Sequence, residues 1–180
     1  MEDRKSWAVK DEAVLEDLVS LMALTDEEKS ALVAAKAQAE GVAPQMVEAF
    51  YERLLAHPNT AEYLEGKTDH LKNSLKGWFA ELFSGDYTQD YVRSRLQIGK
   101  THVRIGLPVR YPLAMLDVIF EFGEKAVADS AQPEQAMAAF HKLVSLDIAI
   151  FNQSYESTQL QHLAEMVGNE TLARRLLTQE

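Results

Sequence analysis

Residues Thr88 to Val109 read TQDYVRSRLQIGKTHVRIGLPV, and the fold class turns on how this stretch starts and stops. Thr88 opens a helix that carries Ile98, His102 and Ile105 along one apolar face. Gly106-Leu107-Pro108 then ends it, since glycine accepts the left-handed backbone of a helix terminus and proline cannot continue a helix. The same punctuation recurs on both sides. Alternating β-branched runs bounded by tight-turn pairs are missing from the sequence, so the chain is read as all-α.

Upstream, a short leading helix is expected over about Glu12 to Met22. Thr25 then caps a helix whose first turn, Asp26-Glu27-Glu28, suits the positive end of the helix dipole, and Gly41 is expected to stop it. Ala43-Pro44 starts the next helix, which His57-Pro58 ends, and a brief turn covers Thr60 to Leu64. Between Thr68 and Phe83 the residues Leu71, Leu75, Trp78, Phe79 and Leu82 recur at helical spacing. Downstream of the Pro108 corner, long helices are expected over Val109 to Ala128 and Pro133 to Val167, with a short one from Glu170 to Leu177. The last long helix is apolar beyond one stripe: Phe140, Leu143, Val144, Ile148 and Phe151 form one face, and Ala139, Leu146, Ala149 and Ile150 widen it. That excess fits either a dimer surface or a helix buried at the centre of a monomer.

Composition narrows the function. The 180 residues are 47% hydrophobic and 26% charged, which suits one globular domain. A net charge of -10 repels phosphate backbones and anionic lipid, so nucleic acid and membrane partners are not expected. No segment is long and apolar enough to span a bilayer, and the start MEDRKSW lacks a signal-peptide core, which gives a cytoplasmic reading. Without cysteine there are no disulfides, thiolate metal sites or cysteine nucleophiles. Phosphate loops, nucleotide fingerprints, nucleophile elbows and paired metal-binding histidines are also missing, so no catalytic residue is assigned.

Two side chains stand out. His102 projects from the apolar face, either as a core histidine satisfied by a carbonyl or as a ligand to haem iron, with the Ile98 carbonyl placed to accept from its other ring nitrogen. Tyr51 follows Phe50 on a face with Val47 and Leu54, either as a core phenol bonded to a carbonyl or as a hydrogen-bond donor to a bound gas. Leu71, Leu75, Trp78 and Phe79 suit the distal wall of a flat macrocycle and equally suit helix packing. His70 lies about 100° round the helix from Leu71, at a pocket rim or in solvent. Arg95, Lys100 and Arg104 are read as solvated charge, with a haem propionate as the alternative partner.

Three stretches together resemble the sensor globin domains of globin-coupled sensors: Phe50-Tyr51-Glu52-Arg53-Leu54-Leu55, His102-Val103-Arg104-Ile105-Gly106-Leu107-Pro108-Val109, and Ser145-Leu146-Asp147-Ile148-Ala149-Ile150. The resemblance runs from about Glu27 to Ser157, and the stretch from His102 is its specific part. It implies a globin-like three-over-three fold with an extra N-terminal helix. Residues 1–157 would form the sensor domain, and 158–180 a helical extension toward an output domain such as a diguanylate cyclase. It also implies haem b (iron protoporphyrin IX) held by His102, with Tyr51 bonding the gas and Leu71 facing it. Leu75, Trp78, Ile98 and Ile105 complete the expected haem-contacting set. The implied activity is sensing of oxygen, with carbon monoxide or nitric oxide as further ligands, by a dimer joined through the last two long helices. Movement of the His102 helix is expected to leave through the Pro108 corner. A haem-free globin-like scaffold and a nitric oxide dioxygenase are the rival readings.

Overall fold

The computed structural model describes residues 13–178, and among these the structure is helical with no strand. Helix α1 (Ala13–Met22) fills the expected leading position; the expected start at Glu12 lies outside the described residues. Helix α2 (Asp26–Ala34) begins in a capping box: the Glu28 amide donates to Thr25 Oγ1 at 3.2 Å, and the Thr25 amide donates to Glu28 Oε2 at 2.9 Å.

Helix α3 (Lys36–Ala56) corrects the reading at Gly41. The chain breaks earlier, at Ala35, and then runs unbroken through both Gly41 and Pro44. Both residues face solvent, while Ala39, Ala43, Met46 and Val47 on the opposite face are buried. The carbonyl that proline leaves unbonded belongs to exposed Glu40, open to solvent, and burial of the inner face outweighs the weak helix propensity of the outer one.

A short α4 (Pro58–Ala61) leads to α5 (Thr68–Glu81) and then α6 (Gln89–Arg104). The terminus of α6 is closed by Gly106 at φ +71°, with the Gly106 amide bonded to the Val103 carbonyl and the Leu107 amide to that of His102. The single helix expected over Val109 to Ala128 is two, α7 (Arg110–Ala114) and α8 (Leu116–Ala128), hinged at Met115. Pro112 has no amide hydrogen to offer, and the Met115 amide reaches back to both the Pro112 and Tyr111 carbonyls at 3.2 Å.

Helix α9 (Pro133–Val167) is the spine, packed against α1, α2, α6, α8 and α10 (Glu170–Thr178), while α3 lies against α5 and α8. The Phe140 ring sits 5.9 Å from that of Phe83 and 6.1 Å from that of Phe120, at the centre of the core. Part of the breadth of apolar surface on α9 is used within the chain, for Ala139, Leu146 and Ile150 are buried, while Ile148, Ala149 and Phe151 are half-buried. Helix α9 also passes through residue 157 without a break.

Candidate functional site

A cleft opens among α3, α5, α6, α8 and α9, with about 990 Å³ of empty space counted out to its open mouth. Its wall is mostly apolar, which suits a flat hydrophobic ligand. Of the residues singled out in the sequence, Tyr51, Leu71, Leu75, Trp78, Ile98 and His102 all line it. Ile105 does not: it is 44% exposed, one turn past His102 at the C-cap of α6. His70 is exposed and likewise absent from the wall, and Phe79 lies in the core against Phe83 at 5.4 Å.

Helix α6 delivers His102 with one nitrogen committed. Nδ1 lies 2.8 Å from the Ile98 carbonyl, which can only accept, so Nδ1 carries the hydrogen and the neutral ring keeps its lone pair on Nε2. Phe151 of α9 meets the imidazole edge-to-face at 5.3 Å. Burial holds the His102 pKa below its ordinary value of 6.5, although the bond to Ile98 pulls the other way. The chain without a ligand is therefore expected to lose stability as pH falls below about 6.5, where the unfolded state takes up a proton that the native state refuses. Urea unfolding at stepped pH would show it, and His102→Phe should flatten that slope.

Tyr51 is 6% exposed on α3, and its hydroxyl makes no hydrogen bond to the described residues and opens on the cleft, where a ligand or water can reach it. Burial alone pushes the phenol up to about 12. It therefore keeps its proton at neutral pH and is a donor in want of an acceptor.

The sequence reading missed a buried polar cluster in the same wall. Arg95, taken as surface charge, is 2% exposed, and its Nε donates to Asp147 Oδ2 at 2.9 Å. Asp147, 5% exposed, also accepts from the Tyr91 hydroxyl at 2.5 Å. The guanidinium reaches Glu81 and the Trp78 carbonyl on α5 and stacks 3.9 Å from the Tyr91 ring centre. Its charge is thus neutralised from within, and the propionate alternative falls with the surface reading. The available signal was a lone carboxylate inside the apolar run Leu146-Asp147-Ile148, which has to find a cation.

One imidazole cannot hold a bare ion, and no group of three or more metal-ligating side chains converges among the described residues. Iron carried by a porphyrin needs only the one, and an apolar cleft with a free imidazole nitrogen and an unpaired phenol fits it.

The protoglobin family model matches residues 11–161 of this chain. The heme-based aerotactic transducer HemAT of Halobacterium salinarum is 26% identical over 175 residues, which covers 88% of this chain. The chain spans about 36% of that transducer's length. The globin domain of the Geobacter sulfurreducens globin-coupled sensor aligns with a TM-score of 0.72 at 28% identity, over 78% of this chain and 96% of that one.

Proposed function

This chain belongs to the protoglobin family, and from that footing we propose that it binds haem b through His102 and senses a diatomic gas, oxygen foremost, on behalf of an output domain. The observation that carries the reading is the pairing, in one apolar cleft, of an imidazole with a free Nε2 and a buried phenol with no acceptor. Bound there, haem would supply a ferrous iron able to take up oxygen, carbon monoxide or nitric oxide.

The protein's own groups do the rest. His102 holds the prosthetic group, and the Ile98 carbonyl fixes its tautomer. Tyr51 donates to the gas, favouring oxygen, which accepts a hydrogen bond better than carbon monoxide does. Leu71, Leu75 and Trp78 line the same cleft as Tyr51 and would keep water from its hydroxyl, so that a hydrogen bond to a bound gas would be made in a medium of low polarity. Tyr51→Phe is expected to speed oxygen release about ten- to hundredfold, the worth of roughly 1–3 kcal/mol for one hydrogen bond in a dry pocket. Stopped-flow displacement of oxygen by carbon monoxide measures it, and an unchanged rate removes Tyr51 from the account.

The transducer named above supports a signalling role, while a diguanylate cyclase as the output rests on the sequence resemblance alone. We place the gas-binding unit in residues 1–157, residues 158–180 as the connection onward, and a homodimer contact on α8 and α9, where half-buried Phe120 lies against exposed His141. Among the described residues no helix is long and apolar enough to cross a membrane, which fits the cytoplasmic location we assign. The spectra of protein from haem-supplied cells, in ferric, ferrous, oxygenated and carbonylated forms, test the whole reading; a colourless product overturns it.

A further inference from the structure

The contacts between α6 and α9 form a continuous ladder. Arg95 pairs with Asp147, and Ser154 Oγ donates to the Leu96 carbonyl at 3.1 Å. Next comes Gly99, where a Cβ would fall 2.6 Å from Ser154 Cβ and Oγ and 3.1 Å from the Phe151 carbonyl, so nothing larger than hydrogen fits between the helices. Above it, the His102 ring meets Phe151, Phe151 meets Tyr155 at 5.3 Å, and the Tyr155 hydroxyl donates to the Leu107 carbonyl at 2.9 Å. The Gly106 turn is different. It is exposed and a side chain there would meet nothing within 4 Å; it is held by the Tyr63 hydroxyl, which donates to the Gly106 carbonyl at 3.3 Å, and not by packing, and the short α7 beyond it packs on α8.

We propose that Gly99 and Ser154 are positioning residues that join the His102 helix to α9 as one rigid unit, so that displacement of His102 leaves the cleft along α9 rather than through the Gly106-Leu107-Pro108 corner. The inference rests on the haem reading above. A packed seam has no compliant layer to absorb a shift, whereas a glycine hinge in solvent has one. Arg95 extends the unit to the distal wall, since it also holds the Trp78 carbonyl at 3.3 Å. Gly99→Ala would wedge the seam open, and Ser154→Gly in the same chain would remove the two nearest of the three atoms that the new methyl meets, leaving the Phe151 carbonyl at 3.1 Å.

The chain has no cysteine, so spin labels can be placed at Lys36→Cys on α3 and Gln161→Cys on α9, both exposed. Two quantities are read in the haem-loaded chain: the ferrous iron–histidine stretching band, and the change in label separation when carbon monoxide binds. The expected results are a displaced or broadened band and loss of the separation change in Gly99→Ala, with the band restored by adding Ser154→Gly and the separation change recovered only to the level of Ser154→Ala, since both lack the bond to Leu96. Gly106→Ala, despite its strained φ, should leave both as in the unsubstituted chain. Gly123→Ala, whose Cβ would lie 1.9 Å from Phe140 Cζ, controls for lost packing on the far side of α9 and should cost stability without moving the band. Should Gly99→Ala not fold, Ser154→Ala, which deletes the bond to Leu96, is expected to shrink the separation change. A band and separation change unaltered by the seam substitutions, or a change abolished by Gly106→Ala, overturns the proposal while leaving haem binding intact. A colourless unsubstituted chain overturns the haem reading and this one with it.

Discussion

His102→Ala is expected to give a chain that no longer keeps haem through gel filtration. Nothing else in the cleft can take over the iron. The other four histidines, at positions 57, 70, 141 and 162, are exposed and none lines the wall. Asp147 is engaged by Arg95 and Tyr91, the Tyr51 phenol stays protonated at neutral pH, and there is no cysteine. What would remain is apolar contact with the porphyrin, too weak without an iron–protein bond to keep the ring through the column. Added imidazole should restore the visible spectrum, because the truncation leaves room for the ring, but it would not reconnect the iron to α6. Equal retention of pigment by the alanine variant would remove His102 from its assigned role.

Arg95→Met is expected to cost about 3–5 kcal/mol of folding stability, measured by urea unfolding, because it strands a carboxylate 5% exposed inside the wall. The double substitution Arg95→Met with Asp147→Leu should recover most of the loss, as a buried pair replaced whole by apolar groups is often neutral. The pH dependence carries a sign. In the intact protein, burial raises the Asp147 pKa above 3.8 against the pull of Arg95, and without Arg95 it should rise further. A native carboxyl that holds its proton more tightly than the unfolded one stabilises below the unfolded value, and this contribution is lost as pH climbs through the native value. The single variant should therefore be least impaired in acid. An equal deficit at all pH values would mean that the stranded charge is not the cause.

Most helices could be placed from the sequence because their ends carry local signals. Thr25 with Glu28, Gly106 before Pro108, and Pro133 opening α9 each act within one turn. Gly41 and Pro44 misled because their helix penalties, about 1 and about 3 kcal/mol, are offset by burial of Ala39, Ala43 and Met46, which only tertiary packing reveals. The site divides the same way. Tyr51 and His102 could be found from their apolar helical faces and the motifs around them. Arg95 could not, because its partner lies 52 residues away on another helix: Asp147 in its apolar run signals that a buried carboxylate needs a partner, and nothing local says which one. Ile105 shares a face with His102 by spacing, yet the helix ends there and its side chain turns to water.

The 35 residues of α9 run on well past the last side chain that touches the imidazole. From Phe151 to Val167 is roughly 24 Å at 1.5 Å per residue, so a pivot of only about 5° would swing the far tip by about 2 Å. A small displacement at His102 would thus arrive at Gly168 as a step comparable to a carbon–carbon bond, large enough to repack whatever rests against it.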